Sequence, residues 1–389
     1  MQAKGRVTVL GNDHPPSRVL CFLDRDSVAF VQGLIDLVVL IAGEDRSGVR
    51  LVVLSNFGGA EESARVLGRP LPAQVEVLAA PRAAGHYLQD LGEFLAWRAP
   101  GQAHASLALF DSIGERNRHG LTGLGRWLAR RWGLPLLPNP DPEDNGGNDG
   151  GNIEASPDEV LVLGSTASGA LVEFFLERGY VPDPRHERPV VLLDTSWLLV
   201  GHVDELVTFV PTPREPCGYV VLKASPAAGL EAMQRFDHED RAAESRTWFP
   251  TSGEEDSFRR TNLALAGRID AELMILREAT AAHPSRCREL RVVPVPVVYH
   301  CREVGGLPRD CSSRYPGGIN CLVLGRHLVV GDPRRNSLRA AYHRLAADLG
   351  LQLHFVDSPL HSRGGGDVHC LTNVVRELGA AKNALPGFR

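Results

Sequence analysis

Four stretches of this chain open on glycine and run straight into alternating polar and apolar residues. They are Gly150-Gly151-Asn152-Ile153-Glu154, Gly201-His202-Val203-Asp204-Glu205, Gly317-Gly318-Ile319-Asn320-Cys321 and Gly365-Gly366-Asp367-Val368-His369-Cys370. Their starts lie roughly 50, 115 and 50 residues apart, which reads as a repeat with one copy too degraded to see. In an extended segment side chains alternate faces, so His202 and Asp204 are expected to point one way and Val203 and Glu205 the other. One strand surface would then offer an acid/base group beside a cation binder.

A chain of 389 residues has room for two or three average domains, but closed repeat architectures run longer as a single unit. Hydrophobic content of 43% is ample for a large core, while aromatics at 6% are sparse and glycine and proline plentiful. That balance favours many short elements joined by tight turns. The formal charge of −5 offers no basic face for nucleic acid and suits a cationic ligand better. The cysteines Cys21, Cys217, Cys287, Cys301, Cys311, Cys321 and Cys370 are odd in number and scattered, without a C-x-x-C pair. Neither a disulfide framework nor a zinc knuckle is indicated, and a reducing, cytoplasmic compartment is expected. No signal peptide is evident, and the most apolar run, Val28 to Ala42, carries Gln32 and Asp36 and is too short to span a bilayer.

Strand, helix and strand alternate along the chain. Val7–Leu10, Arg18–Leu23, Val49–Leu54, Val75–Leu78, Val160–Leu163, Val190–Leu193, Leu206–Val210 and Tyr219–Leu222 read as strands. Helices are expected from about Ser27 to Ile41, over Glu61–Leu67, Ala167–Arg178 and Ala227–Gln234, and near Leu338–Leu349 before a strand at Gln352–Val356. Leu263, Ile269, Leu273 and Leu276 fall at helical spacing inside Phe258–Glu278, the longest helix expected. Strands follow around Leu290–Val298 and Leu322–Val330. Pro138 to Gly151, with Asn145-Gly-Gly-Asn-Asp-Gly-Gly, holds too little apolar content to pack and reads as a surface loop, and Phe236–Ser257 as a second polar connection. The pattern is mixed α/β, built of repeated units with no break that cuts the chain into domains.

Cys370 is the best nucleophile candidate, because the flexible Gly-Gly-Gly approach exposes it and the adjacent His369 favours its thiolate. Joined to Trp197-Leu-Leu-Val-Gly-His-Val-Asp-Glu, Gly-Asn-Ile-Glu-Ala-Ser-Pro, Tyr87-Leu88-Gln89-Asp90 and Phe110-Asp111-Ser112-(Ile-Gly-Glu)-Arg116-Asn117-Arg118, the segment Gly-Asp-Val-His-Cys-Leu-Thr-Asn resembles the catalytic domain of the protein-arginine deiminases, in that family's order. The resemblance runs from about Val75 to Val375 and is faint over residues 1–74, and the immunoglobulin-like domains that precede the catalytic domain in vertebrate members have no counterpart.

The resemblance implies a single five-bladed α/β propeller, the pentein fold of guanidino-group-modifying enzymes, and hydrolysis of arginine to citrulline and ammonia in a protein or peptide. By that resemblance Asp90 and Asp204 bind the guanidinium, His202 is general acid and base, and Cys370 attacks the central carbon. Arg116 and Arg118 match positions that hold the substrate's main chain, and Val200 and Tyr87 wall the aliphatic stem, where the family usually carries tryptophan in place of Tyr87. The chemistry is coherent without the family: a guanidinium is planar and cationic, so paired carboxylates orient it while a thiolate adds and an imidazole shuttles protons.

Calcium is the activator the family implies, with oxygen ligands. Gln89, Glu93 and Glu154, with the carbonyls of Gly150 and Ile153, match one site, and Asp111, Ser112 and Asn117 a second. Leu91 stands where the second site expects an acid, so one ion is expected. Two other readings use the same residues: a deiminase of free arginine or agmatine, or an amidinotransferase, on the same fold; and a calcium-binding scaffold that has lost turnover. His202, His369 and Cys370 lack the close spacing of a zinc site.

Overall fold

The computed structural model describes residues 4–45, 48–81, 85–116, 120–245, 252–284, 286–358 and 366–378. An opening strand β1 (Arg6–Val9) is followed by β2 (Pro16–Leu23), helix α1 (Val28–Asp45), β3 (Arg50–Ser55), α2 (Ala60–Leu67) and β4 (Val75–Ala79). Then come β5 (Gly92–Arg98), β6 (Ser106–Asp111), α3 (Leu124–Trp132) and β7 (Leu136–Pro138), and after them β8 (Ile153–Ala155), β9 (Leu161–Gly164), α4 (Gly169–Leu176) and β10 (Val190–Leu193). Strands β11 (Val207–Pro211) and β12 (Tyr219–Ser225) lead into α5 (Pro226–Gln234), α6 (His238–Ser245), α7 (Ser252–Ala281) and β13 (Val292–Pro296). The hairpin β14 (Tyr299–Val304) and β15 (Leu307–Ser313) precedes β16 (Leu322–Leu324), β17 (His327–Gly331), α8 (Asn336–Leu349), β18 (Gln352–Val356) and β19 (Thr372–Arg376).

One unit recurs five times among the described residues. Its first strand runs antiparallel to the second, and the third runs parallel to the second: β5-β6-β7, β8-β9-β10, β11-β12-β13, β16-β17-β18 and β19-β2-β3. The second and third strands are parallel, so each pair needs a crossover, and a helix supplies it every time. In the last unit β19 comes from the C-terminal end and β2 from the N-terminal end, so the chain closes on itself. The mixed α/β class with repeated strand-helix units is the expected one.

Among the first strands of the units, β8, β11 and β16 are buried along their whole length. Buried on both faces, such strands read as continuous apolar runs. The residues just before each first strand are therefore carried inward together.

The copy missing from the sequence pattern is Leu88–Gly92, which enters β5 through a 3-10 turn. The wide gap between the second and third visible copies holds no hidden copy; it holds α6 and α7, inserted in the third crossover. Helix α7 spans Ser252–Ala281 and buries Leu265, Ile269, Leu273 and Leu276, whereas Leu263 faces outward. The expected polar connection 236–257 contains α6 and the start of α7.

Four cysteines pair, against the sequence expectation: Cys217 with Cys287, and Cys301 with Cys311. Spacing hid both pairs. The first joins residues that the parallel pairing of β12 with β13 brings together across the helical insertion, and the second lies across the β14–β15 hairpin. The ground for a reducing compartment goes with it. No helix among the described residues is long and apolar enough to cross a membrane.

Candidate active site

The entries to four first strands meet at one point. Gln89 and Asp90 come from the turn before β5, Gly146 to Asn152 from the loop before β8, His202 to Glu205 from the turn before β11, and Asn320 from the segment before β16. His369 and Cys370 enter β19 and complete the group. Cys370 Sγ lies 3.7 Å from Asp204 Oδ2, and His202 Nδ1 lies 3.7 Å from Asp90 Oδ1. Asp90, His202, Asp204 and Cys370 are all at most 5% exposed. Residues far apart along the chain thus share one buried cluster.

The local geometry differs from the extended reading. Val203–Glu205 is a 3-10 turn, so strand alternation does not apply, and Asp204 and Glu205 are both buried. Gly151 fits between the imidazole and the carboxylate: a Cβ there would sit 2.7 Å from His202 Nδ1 and 3.1 Å from Asp204 Oδ2. The stretch expected to be a surface loop is buried from Gly146 to Gly151. It packs by hydrogen bonds instead of apolar contact, with Asp144 capping the backbone N–H groups of Gly146, Gly147 and Asn148 and the carbonyl of Gly146 accepting His202 Nε2 at 3.0 Å.

Asparagines in the repeated starts sew these turns together. Asn152 Oδ1 accepts the N–H of Gly164 and of Val203, and Asn373 donates to the carbonyls of Leu88 and Gly92. Asn320 takes the Cys370 N–H on Oδ1 at 3.1 Å and donates its Nδ2 to Cys370 Sγ at 3.2 Å and Asp204 Oδ2 at 2.9 Å. Sequence reasoning gave none of them a role, although each lies within three residues of a candidate site residue or of a repeat start.

Asp204 divides its two oxygens. Oδ2 accepts from Asn320, from His369 Nδ1 at 2.8 Å and from the Cys370 thiol, while Oδ1 is buried without a hydrogen-bond partner. His202 Nδ1 and Glu205 Oε1 are likewise buried and unpartnered. Three buried polar atoms without hydrogen-bond partners carry a desolvation penalty that a multidonor cation would lessen.

The electrostatics revise the role expected for His369. Burial, then the charges of Asp204, Asp90 and Glu205, push the Cys370 thiol well above its ordinary value. His369 hydrogen-bonds Asp204 rather than the sulfur, and although burial opposes its charged form, Asp204 raises it overall. Glu205 is raised well above a normal carboxylate by burial and then by Asp204 and Asp90. Tyr87 lies close to the thiol, because a Cβ on Gly366 would meet both Tyr87 Cε1 at 2.5 Å and Cys370 Cβ at 3.2 Å. Val200 is half-buried two residues before His202.

Arg116 does not stand ready for a ligand. Its guanidinium donates to the carbonyls of Ser112, Ile113 and Asp144 and pairs with Asp144 Oδ2 and Asp149 Oδ1, each at 3.2 Å. Arg118 and Asn117 lie outside the described residues.

Gln89, Glu93 and Glu154 line one small cavity with Ile153, His369 and Arg376. Burial and then mutual repulsion with Glu154 hold the Glu93 carboxyl well up, and burial foremost lifts Glu154 to about 7. Arg376 directs its hydrogen bonds to Asn12, His14 and Val323, so the two acids keep oxygen capacity that fits a hard cation. The described members of the second set, Asp111 and Ser112, are already engaged. Ser112 Oγ donates to the Asp90 carbonyl, the Ser112 carbonyl is taken by Arg116 and Asn139, Asp111 accepts the Gly114 N–H, and Leu91 is fully buried in an apolar cluster.

The family model described as protein-arginine deiminase (PAD) matches residues 178–382, which include His202, Asp204, Asn320, His369 and Cys370. The chain is 28% identical over 335 residues to protein-arginine deiminase type-3 of Rattus norvegicus, covering 76% of this chain and 47% of the relative. It is 27% identical over 321 residues to the type-1 enzyme of Homo sapiens, covering 75% and 46%. The chain thus spans about half the length of the curated relatives it matches. Among solved structures, an agmatine deiminase of C. jejuni superposes with a TM-score of 0.58 at 10% identity, covering 95% of this chain and 96% of that one. A putative arginine deiminase from Porphyromonas gingivalis gives 0.59 at 15%, covering 96% and 99%. These structural neighbours share the pentein fold.

Proposed function

Because this chain belongs to the protein-arginine deiminase family, we propose that it hydrolyses the guanidino group of arginine in a protein or peptide, giving citrulline and ammonia. The observation that carries the reading is the buried thiol of Cys370 set beside Asp204, whose second oxygen lacks a partner, with the His202 imidazole facing Asp90. Asp90 and Asp204 grip the guanidinium nitrogens and orient the planar carbon toward sulfur. The cation also offsets the negative charges that hold the thiol protonated, so substrate binding and thiolate formation are coupled.

With the guanidinium in place the Cys370 thiol gives its proton to His202, and the thiolate adds to the central carbon to give a tetrahedral adduct. One C–N bond then breaks as His202 protonates the departing nitrogen, ammonia leaves, and an S-alkylthiouronium remains. His202 next takes a proton from water, whose oxygen adds to the same carbon. The C–S bond breaks, and the ureido product and the free thiol are released. Asn320 holds the sulfur in line throughout.

Calcium held by Gln89, Glu93, Glu154 and the carbonyls of Gly150 and Ile153 would neutralise the two buried acids and brace the turn that carries Asp90. A second reading, a deiminase of free arginine or agmatine, is favoured by one observation: Arg116, expected to hold a peptide main chain, is bound inward by Asp144 and Asp149. Ammonia release from acyl-arginine amide, free arginine and agmatine, with calcium or with chelator, tests both. Turnover of the blocked substrate, lost in Cys370→Ala and weakened by Arg118→Ala, supports the peptidyl reading. An active Cys370→Ala variant refutes the mechanism.

A further inference from the structure

The loop before β8 brings a further acid, Asp149, to the site, and it has no part in the chemistry above. One carboxylate oxygen each from Asp90 and Asp149 and one ring nitrogen of His202 all lie within 4.8 Å of one another. All three residues are buried, with Asp149 and His202 fully so. Acids alone would not make a site, but the imidazole supplies an independent observation. Its Nε2 is 3.0 Å from the carbonyl oxygen of Gly146, and a carbonyl only accepts, so Nε2 carries the hydrogen. The Nδ1 atom faces Asp90, 3.7 Å from its Oδ1 and without a hydrogen bond. With Nε2 bound to a carbonyl, Nδ1 is the ring atom left to coordinate, and a cation between it and the acids would satisfy all three buried groups.

We propose that Asp90, Asp149 and His202 form a binding site for a divalent ion of the zinc class, and that this ion excludes the cationic substrate. The donor set selects the ion: one imidazole nitrogen with two carboxylates suits zinc, whereas calcium and magnesium prefer all-oxygen shells. The surroundings are those of an oriented metal ligand set. The Gly146 carbonyl orients the ring through Nε2, and Arg116 holds Asp149 Oδ1 at 3.2 Å, directing that carboxylate. The Asp149 N–H in turn binds the same Gly146 carbonyl at 3.2 Å, so the ligand and the group that orients the imidazole belong to one turn. Ion and substrate exclude each other because both need Asp90 and His202. This competitive part rests on the function proposed above, while the site itself does not.

The test is calorimetric titration of zinc chloride into the full chain after chelator treatment, beside Asp149→Asn, His202→Ala and Cys370→Ala. One zinc per chain is expected, with affinity falling at least tenfold in Asp149→Asn and His202→Ala and kept in Cys370→Ala. Absence of binding, equal affinity in Asp149→Asn, or loss of binding in Cys370→Ala, which would make the thiol the ligand, overturns the site. In the turnover assay zinc should raise KM for acyl-arginine amide without lowering kcat, and a fall in kcat alone overturns the competition. Zinc binding as expected in a chain that turns over no guanidino substrate would leave the site standing and remove the deiminase reading.

Discussion

The side-chain amide of Asn320 joins the nucleophile to the carboxylate beside it: Nδ2 is 3.2 Å from Cys370 Sγ and 2.9 Å from Asp204 Oδ2, while Oδ1 accepts the Cys370 N–H. Three bonds from one planar group fix both atoms that must meet the same guanidinium. Asn320→Ala leaves the Cys370 N–H and Asp204 without these partners in a buried site, at a cost of about 1–3 kcal/mol. Turnover should fall roughly 10- to 100-fold with the fold intact. Labelling of Cys370 by a haloacetamidine checks it, because a merely structural asparagine would change the melting temperature and not the labelling rate of the folded fraction.

Gly151 is required by space. A methyl group there would come within 2.7 Å of His202 Nδ1, closer than packed atoms allow, and the ring and Asp204 would both have to yield. Displacing catalytic groups by about 1 Å can cost 100-fold in rate, so Gly151→Ala is expected to lose at least that much kcat. Far-UV circular dichroism should be unchanged. An alanine variant with native kcat would show that the glycine is not needed for this spacing.

Much of the fold was legible because each crossover helix and its flanking strands carry the apolar periods expected of them. The strand at Val190–Leu193 and that at Gln352–Val356 have the expected boundaries. The pocket was less legible. Asp90, His202, Asp204 and Cys370 converge, yet the strand alternation invoked for His202 and Asp204 fails because the starts before β5, β8 and β11 are 3-10 turns. Residues 146–151 looked like solvent loop because their packing is a hydrogen-bond network centred on Asp144, Asn152 and Arg116, and composition counts apolar atoms only. The disulfides were hidden for a topological reason: the partners of Cys217 and Cys301 are set by strand pairing, which spacing does not encode.

Glu154 predicts a pH dependence. Its carboxyl is lifted from 4.5 to about 7, by burial first and also by Asp204, against the favourable charges of His369 and Arg376. A raised acid keeps its proton longer in the folded chain than in the unfolded one, so its contribution is fully present below about pH 4.5 and is lost as pH rises through about 7. The loss is on the order of 3 kcal/mol for a fully buried group. Without calcium, Glu154→Gln should be more stable than the parent at pH 8 by up to that amount and equal to it at pH 4, read from urea midpoints. Calcium at pH 8 should stabilise the parent and not the variant. A parent less stable than the variant at pH 4 as well would contradict the assignment.

Calcium binding should stop at one ion per chain. The second set would need the oxygens of Ser112 and Asp111, but the Ser112 carbonyl already receives Arg116 and Asn139, and the Asp111 carboxylate receives Gly114 and abuts Gly125. Leu91, where the resemblance expects an acid, is buried in one apolar cluster with Leu88, Phe94, Leu109 and Ile113. The guanidinium of Arg116, held by Ser112, Ile113, Asp144 and Asp149, already takes the Ser112 carbonyl that this ion would need. Equilibrium dialysis with radioactive calcium should therefore give one ion per chain, abolished by Glu154→Gln and unaffected by Asp111→Asn. Two ions per chain, with one lost in Asp111→Asn, would mean that Arg116 leaves its cage when calcium arrives.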